Sequence, residues 1–539
     1  MPSTLLDAQK ITRHHGDRTV LADVDVRVDA GTRLAVIGPN GSGKSTLLRV
    51  LAGIEAPDGG TVQRFGTVGY LPQMADADAS DGASARAAML ERLGVAGAAR
   101  EVDRLEARLA AGDLDAVTPH AAALERWLAL GGADAEARVA AAAAELGLDG
   151  ALLDRPLASL SGGQAARAGL AVLRAARFDV VLLDEPTNHL DADGLQRLWA
   201  LLAQRSGGVV LVSHDRALLE VAAGTLLELD GRTGAATPYA GGWEAYEHER
   251  ETAHARAVAE HDQALAKRAA LTDAIRETRA RAQSSIGRAK HLAHDGDKHS
   301  AEFVRSRAQG MQSRARKVES RLARIEVPDK PWEDRALRLE LTAAEKRGGP
   351  VVALEGAVLE RPPAFRVGPI DLALSYGDRI LLRGPNGSGK STIIAALLGE
   401  LPPVAGVRRT APGAVIARLG QARDALASDA PLDASVRALT GLGESDARTA
   451  LASYGLGSDR VRRPAATLSP GERTRGELAV LAHRRAACLL LDEPTNHLDV
   501  ASLEILERAL DGWPGALVVA THDARLRDAL AITEVVDLG

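Results

Sequence analysis

The sequence contains a single cysteine, Cys488, and this shortage excludes several classes of protein. One thiol cannot supply an intrachain disulfide framework, a four-cysteine zinc site or an iron–sulfur cluster held by cysteines. We predict that Cys488 is a small residue of a hydrophobic core. Aromatic residues make up only 3% of the chain, so alanine, leucine and valine must fill those cores.

Long apolar runs are missing as well. No stretch approaches the roughly 20 apolar residues that a membrane-spanning helix needs, so no membrane insertion is expected. The N-terminal MPSTLLDAQK lacks the basic start and apolar stretch of a signal peptide, and we expect a cytoplasmic protein. At roughly 150 residues per domain, 539 residues predict three or four domains. The net charge of −6 argues against bulk nucleic-acid binding, although the average conceals a segment of opposite sign.

An internal duplication organises the chain. Three motifs occur twice and in the same order: GPNGSGKST at 38–46 and 384–392, LSGGQ or LSPGE at 160–164 and 468–472, and LDEPTNHLD at 183–191 and 491–499. The spacing between the first two motifs is 38 residues longer in the first copy, which therefore carries a larger insertion. We predict homologous domains at 1–242 and 350–539, with a helical linker at 243–349.

Each copy has a phosphate-binding loop of the form G-x-x-x-x-G-K-[ST] between an apolar strand and a helix. Glycines let the backbone amides face phosphate oxygens, the lysine reaches the β- and γ-phosphates, and the serine hydroxyl coordinates Mg²⁺. Chance matching is disfavoured by the strand, the helix and the duplication together. The predicted ATP contacts are Gly38, Asn40, Gly41, Gly43, Lys44, Ser45 and Thr46, then Gly384, Asn386, Gly387, Gly389, Lys390, Ser391 and Thr392.

A buried apolar strand in each copy ends in two acids, Asp184-Glu185 and Asp492-Glu493. Acids at the carboxyl end of a buried parallel strand lie where open α/β sheets bind ligands. We predict that the aspartates hold Mg²⁺ through water and that the catalytic residues Glu185 and Glu493 orient or deprotonate an attacking water.

Histidines follow a further apolar strand in each copy, at His214 and His522. A lone histidine there would more often be a core residue. Because both occupy the same position relative to the acids, we predict catalytic roles for them instead.

The LSGGQ loop resembles the signature of the ATP-binding cassette superfamily. Paired cassettes with a charged helical linker and no membrane span are similar to the F subfamily, ATPases of the ribosome. The resemblance implies an α/β fold of two P-loop ATPase domains, each with a helical subdomain, joined by a long α-helical hairpin. It also implies a monomer whose cassettes close head to tail, so that each ATP lies between one phosphate loop and the other cassette's signature.

We call the site built on Lys44 the first composite site and the site built on Lys390 the second composite site. The resemblance adds signature contacts from Ser469, Gly471 and Glu472 to the first site, from Ser161, Gly162, Gly163 and Gln164 to the second, and metal ligands Gln73 and Gln421 beside Ser45, Asp184, Ser391 and Asp492.

Two departures from the family pattern affect these sites. Pro470 removes an amide donor from the second signature, so we expect the first site to be weaker or slower. Where the family stacks an aromatic ring on adenine, the first copy has His15 and the second has Arg361 or Phe365.

The linker has its own character. Residues 244–283 and 300–327 predict two helices of an antiparallel hairpin, interrupted by a polar stretch at 284–297. The second helix has a regular apolar seam, whereas the first has a poorer one through Val258, Leu265, Leu271 and Ile275. Residues 263–325 carry fifteen Lys and Arg against six acids, a net charge of +9, which leaves −15 on the rest of the chain.

A basic hairpin on an acidic body favours a phosphate-rich partner. The alternative is a spacer whose charges only keep it solvated. We predict RNA contacts near the hairpin tip from Arg288, Lys290, His291, His294 and Lys298.

The resemblance implies binding to the ribosome near the exit-tRNA site, with the tip approaching the peptidyl-transferase region, and antibiotic resistance by ribosome protection or a role in translation. The alternative function is the ATPase motor of a multi-subunit drug exporter, which rarely needs a long basic hairpin.

Overall fold

The structure is a computed structural model and describes residues 3–16, 18–72, 82–188, 190–294, 298–324, 348–361, 365–419, 426, 428–468, 470–494, 498–511 and 513–538, with the backbone alone at 288–294, 298–305, 308, 312, 315, 458–459, 470–471, 474 and 501. Residues 1–246 and 337–539 together form one compact unit, and residues 247–336 form a second. We call residues 3–242 the first cassette and residues 348–538 the second.

The first cassette combines two sheets with helices. Its strands are β1 (Thr4–His15), β2 (Arg18–Asp29), β3 (Arg33–Ile37), β4 (Gly59–Arg64), β5 (Val68–Leu71), β6 (Val180–Asp184), β7 (Gly208–Val212), β8 (Thr225–Leu229) and β9 (Ala236–Ala240). Its α-helices are α1 (Lys44–Ala52), α2 (Ala85–Arg92), α3 (Val95–Ala110), α4 (Val117–Ala129), α5 (Ala135–Glu145), α6 (Gly150–Leu153), α7 (Gly162–Ala175), α8 (Ala192–Gln204) and α9 (Arg216–Ala222).

The main sheet has the order β5-β6-β7-β3-β8-β9 and is parallel except for β9. Every residue of β6 and β7 is buried, because both faces of this sheet are covered. One face packs on α1 and on the antiparallel sheet β2-β1-β4, and the other packs on α7 and α8. The carboxyl ends of β3, β6 and β7 therefore meet at one edge, where both acids and the phosphate loop follow.

The linker forms two helices, α10 (Trp243–His294) and α11 (Lys298–Leu322). The prediction that residues 284–297 interrupt the first helix was wrong, because α10 continues to His294. Polar side chains do not break a helix when solvent surrounds them, and Gly287 costs only about 1 kcal/mol relative to alanine. An ion pair joins the two helices, because Nη2 of Arg279 in α10 lies 2.6 Å from Oε1 of Glu319 in α11.

The predicted seam of α10 needs a correction at one position. Leu265 is exposed, at 45%, whereas Ile275 and Ala282 are buried. Ala264 is half-buried and lies eleven residues before Ile275, so it belongs to the heptad-like stripe that these residues form. In the sequence, the large apolar side chain of Leu265 indicated a buried position more strongly than the small Ala264 beside it.

The second cassette repeats the architecture. Its strands are β10 (Val352–Arg361), β11 (Phe365–Leu374), β12 (Arg379–Arg383), β13 (Ala405–Thr410), β14 (Ile416–Arg418), β15 (Cys488–Asp492), β16 (Ala516–Ala520) and β17 (Glu534–Asp537). Its α-helices are α12 (Lys390–Leu398), α13 (Leu432–Thr440), α14 (Glu444–Ser453), α15 (Ser458–Val461), α16 (Pro470–His483), α17 (Val500–Leu510) and α18 (Ala524–Ala529).

The parallel sheet of the second cassette has the order β14-β15-β16-β12-β17, beside the antiparallel sheet β11-β10-β13. Cys488 is fully buried in the core between them, and burial raises the pKa of its thiol to about 12, which confirms the predicted core role. Each cassette also has the predicted helical subdomain. The extra residues of the first copy correspond to the paired helices α3 and α4, which have no counterpart between α13 and α14.

Among the residues described, none of the helices combines the length and the apolar character required to cross a bilayer.

Candidate active site

Both phosphate-binding loops lie between a strand of the parallel sheet and a helix, as predicted. Gly43 and Gly389 precede α1 and α12 with φ of 102° and 105°, which L-residues rarely adopt. A Cβ atom at Gly43 would lie 2.5 Å from Cγ1 of Val20, so glycine is required there for space as well. The loop amides at these helix N-termini form an anion-binding concavity in each cassette.

The lysines of both loops are buried and directed into their own loop. Lys44 Nζ donates to the carbonyl oxygens of Gly38 at 2.7 Å and Pro39 at 3.1 Å, and Lys390 makes the equivalent bonds at 2.7 and 3.2 Å. Burial lowers the pKa of both ammonium groups, and neighbouring carboxylates such as Glu185 and Glu493 oppose that shift. Each cation is thus held beside the concavity where an anionic ligand is attracted.

Strained backbone positions the second acid of each pair. Glu185 and Glu493 have φ of 49° and 44°, in the left-handed region that non-glycine residues rarely occupy. Their amides are held by the carbonyls of Val212 and Ala520, at 2.9 and 2.8 Å. Such strain costs about 1–3 kcal/mol per residue and typically occurs at functional sites.

The histidines predicted to be catalytic lie beside these acids. Nε2 of His214 is 3.2 Å from Oε1 of Glu185, and Nε2 of His522 is 3.4 Å from Oε1 of Glu493. Burial raises the pKa of both glutamates to about 7, against the opposing charge of the nearby lysine. Burial also lowers the pKa of both histidines. Each pair therefore combines a neutral imidazole with a carboxyl group poised to exchange a proton near neutral pH.

Oxygen donors suited to a divalent cation lie next to the phosphate loops. In the second cassette, Oγ of Ser391 donates to Oδ1 of Asp492 at 3.1 Å. Burial raises the pKa of Asp492, while Ser391 and the guanidinium of Arg418 act against the rise. In the first cassette, the hydroxyl of Tyr70 donates to Oδ2 of Asp184 at 2.9 Å. A hydroxyl and a carboxylate are ligands that Mg²⁺ prefers, so the residues fit such an ion.

One cavity brings together groups from both cassettes. It has a volume of about 570 Å³ and is lined by Ser161, Gly162 and Gly163 of the first cassette and by Asn386, Lys390, Ser391, Asp492 and Glu493 of the second, among others. Gly163 lies so close to the second phosphate loop that a Cβ atom there would be 3.2 Å from Cβ of Asn386. Ser161 and Gln164 form a capping box that fixes the start of α7 and hence the signature loop.

One aspartate joins each phosphate loop to the opposite cassette. Oδ2 of Asp499 accepts from the amide of Asn40 at 3.0 Å, and Oδ2 of Asp191 accepts from the amide of Asn386 at 3.2 Å. Their Oδ1 atoms cap the helices that begin just after them, α17 and α8. Burial acts to raise the pKa of both carboxyl groups, but these hydrogen bonds outweigh it and leave the pKa lowered.

Not every predicted residue falls within the described part of the chain. Gln73, Gln421 and Ser469 lie outside the described residues, and of Gly471 only the backbone, in the first turn of α16, is described. The carboxylate of Glu472 forms an ion pair with Arg460, with 2.9 Å between Oε1 and Nε. The side chains of the predicted RNA-binding residues near the hairpin tip also lie outside what is described. Arg361 and Phe365 both line the cavity shared by the two cassettes. In the first cassette, Nε2 of His15 lies 4.0 Å from Oε2 of Glu55.

Sequence reasoning missed four residues of this region. Asp191 and Asp499 end the duplicated LDEPTNHLD motif, and that repetition was a signal for a shared role. Tyr70 carries no such signal, because Arg418 stands at the corresponding position of the second copy. Arg216, which contacts the second cassette, likewise has an unrelated counterpart, Ala524.

Comparison with known proteins agrees with this architecture. The family model described as ABC transporter matches residues 21–188 and 367–496. The tylosin resistance ATP-binding protein TlrC of Streptomyces fradiae is 36% identical over 98% of this chain and 96% of its own length. The energy-dependent translational throttle protein EttA of Mycobacterium tuberculosis is 30% identical over 97% of this chain and 89% of its own. A solved structure titled RNase-L Inhibitor shares the fold, with a TM-score of 0.56 at 18% identity over 97% of this chain and 86% of that one.

Proposed function

Because the chain belongs to the ATP-binding cassette family and, within it, to the F subfamily of tandem cassettes, it binds and hydrolyses ATP, and we propose that it does so at two composite sites shared between the cassettes. The observation that carries this proposal is the cavity lined by the signature of the first cassette and the phosphate loop of the second.

At the second composite site, Lys390 and the loop amides hold the β- and γ-phosphates. Ser161 and the start of α7 approach the same ligand from the other cassette, so the γ-phosphate joins the cassettes. Asp191 supports this closure, because its carboxylate accepts the Asn386 amide of the same loop. The first composite site repeats the arrangement around Lys44, with Asp499 in the role of Asp191.

Glu493 accepts the proton of the attacking water at the second site, and Glu185 does so at the first. A pKa of about 7 makes each glutamate a stronger base than a solvated one while leaving much of it ionised at neutral pH. The adjacent neutral histidine orients the carboxylate and the water. Ser391 and Asp492, or Ser45 and Asp184, would hold Mg²⁺, which neutralises phosphate charge when it is bound.

We further propose that ATP-driven closure of the cassettes acts on the ribosome through the linker. The relative from Streptomyces fradiae is a tylosin resistance protein, and that from Mycobacterium tuberculosis is a translational throttle protein, whose name refers to translation. The basic charge of residues 263–325 supports ribosomal RNA as the partner. We propose that the hairpin binds near the exit-tRNA site, that the tip acts on the peptidyl-transferase region, and that the protein works as a cytoplasmic monomer conferring antibiotic resistance.

Ribosome pelleting tests the proposal. The variant with Glu185→Gln and Glu493→Gln keeps the shape of both sites but removes both bases, so with ATP it is expected to remain closed and to sediment with ribosomes. The same variant with Lys44→Ala and Lys390→Ala is the matched control, which should stay in the supernatant. Recovery of the ATP-loaded variant in the supernatant would refute ribosome binding, and recovery with membranes would favour an exporter motor.

A deletion separates the hairpin tip from the ATPase. Removing residues 285–299 should leave ATP binding intact, because no described residue of the nucleotide sites lies there, while antibiotic protection of a sensitive host falls. A variant in which Arg104 and Arg108 of α3 become Gln changes exposed charges elsewhere and is the matched control. Full protection by the deletion variant would exclude the tip from the mechanism.

A further inference from the structure

A buried ion pair crosses between the cassettes beside the first composite site. Arg216 is only 4% exposed, and its Nη1 donates to both carboxylate oxygens of Glu507 at 3.1 and 3.2 Å. Its Nη2 also donates to the carbonyl oxygen of Val500 at 3.5 Å and lies 3.9 Å from Oε1 of Glu504. Burial raises the pKa of Glu507, and the guanidinium of Arg216 opposes this shift.

Both ends of this pair adjoin groups of the first composite site. Arg216 is the first residue of α9 and follows His214 by two positions, and Asp215 between them caps the helix through the amide of Leu218 at 2.9 Å. Val500 is the first residue of α17 and directly follows Asp499, which accepts the Asn40 amide of the first phosphate loop.

The residues that form this pair have uncharged counterparts at the second composite site. At the corresponding positions, 308 residues away, Ala524 stands for Arg216, Trp199 for Glu507 and Gln196 for Glu504. None of these side chains is charged. The ion pair is therefore one-sided, and it lies at the site whose opposing signature has lost an amide donor to Pro470.

We infer that Arg216 is a positioning residue of the first composite site, which acts through Glu507 and Val500 to hold Asp499 against the first phosphate loop. The inference rests on the composite sites proposed above. A buried guanidinium bonded to a carboxylate is directional, and removing either partner leaves an uncompensated charge. The first site is thus held together partly by protein contacts, whereas the second depends more on its nucleotide and its intact signature.

Single-site kinetics test the inference. Glu493→Gln leaves the first site to hydrolyse ATP, and Glu185→Gln leaves the second. Adding Arg216→Gln to the former should raise the KM for ATP about tenfold and change kcat less than threefold, because the pair supports assembly rather than proton transfer. Adding it to the latter should change both constants less than twofold.

Three further variants exclude a general loss of structure. Arg216→Lys keeps the charge and should recover part of the lost KM, while Arg216→Gln with Glu507→Gln should be no worse than Arg216→Gln alone. Arg138→Gln removes an arginine that pairs within the first cassette and is the control without a site-selective effect.

The outcomes separate this inference from the proposed sites. Equal changes at both sites, or additive effects of the Arg216 and Glu507 substitutions, would overturn the positioning role. If neither single-glutamate variant retains its own measurable rate, two independent composite sites are refuted instead. Should Arg216→Gln not fold, Glu507→Gln, which keeps the volume and one acceptor oxygen, supports the same comparison.

Discussion

The two composite sites are built from the same duplicated motifs but differ in what surrounds them. The first faces a signature that contains Pro470, has Tyr70 on its aspartate and is crossed by the Arg216–Glu507 pair. The second faces an intact LSGGQ loop and has Arg418 near its aspartate. Duplication thus preserved the groups that handle phosphate and water, whereas the contacts that assemble each site diverged.

The largest expected effect comes from removing one base at a time. Glu185→Gln and Glu493→Gln should each lower hydrolysis at their own site about 100-fold or more, as expected for a general base. Because the second site has the complete signature, Glu493→Gln should reduce the total steady-state ATPase rate more than Glu185→Gln does. Glu91→Gln, at an exposed ion pair, is the control. Equal losses in the two variants would remove the functional difference between the sites.

The pH dependence should be the same at both sites. Both glutamates have a pKa of about 7, so activity requires their ionised form and should fall about tenfold between pH 8 and pH 6. The histidines add no acidic limb there, because burial lowers their pKa. Profiles of kcat/KM for the two single-glutamate variants test this. Midpoints more than one unit apart would mean that the bases, too, have diverged.

The same ionisations affect stability with the opposite sign. A carboxyl group whose pKa is raised on folding stabilises the native state fully below pH of about 4.5, and this contribution is lost as the pH rises through about 7. The pH range that activates the bases is therefore the range in which these two groups cease to favour folding.

The signature difference can be reversed by exchange. Pro470→Gly restores an amide donor and should tighten ATP binding at the first site about fivefold, consistent with about 1 kcal/mol for one hydrogen bond. Gly162→Pro makes the reciprocal change and should weaken the second site by a similar factor. The KM for ATP in each single-glutamate background measures both. If neither exchange alters KM, the signature amide does not explain the difference between the sites.

The smallest effect is expected at Tyr70. Tyr70→Phe removes the hydroxyl that donates to Asp184 and should raise the Mg²⁺ concentration required at the first site about threefold, because a group that orients a ligand is lost. The second site, which has Arg418 in place of Tyr70, should not respond. Tyr239→Phe, away from both sites, is the control. A similar shift at both sites would point to a change in global stability.

The sequence predicted those parts of the site that the duplication marks. Lys44, Glu185 and His214 each have a counterpart in the second copy, in the same order and each after an equivalent strand. Residues that act in only one site are not repeated in the other copy, so the duplication gives no signal for them. Arg216 corresponds to alanine, and its partner Glu507 lies almost 300 residues away, so only the folded chain brings them together.

In the linker, local sequence patterns predicted the helices better than their ends and their buried positions. Helix periodicity predicted the hairpin, but polarity was a poor guide to where α10 ends, because an exposed helix tolerates polar residues throughout. The predicted seam was wrong at Leu265, because this large side chain is exposed while the small Ala282 is buried and Ala264 is half-buried. Packing between two helices depends on register as much as on hydrophobicity.

The left-handed backbone at Glu185 and Glu493 implies that thermal stability and the rate of ATP hydrolysis oppose each other at these positions. Glycine adopts this conformation without penalty, so Glu185→Gly would relax the chain where it meets the attacking water. A hydrolytically dead protein could then resist heat better than the active one. Both halves of the molecule nevertheless have glutamate at this strained position, and the proposed role of its carboxylate as a base accounts for that choice.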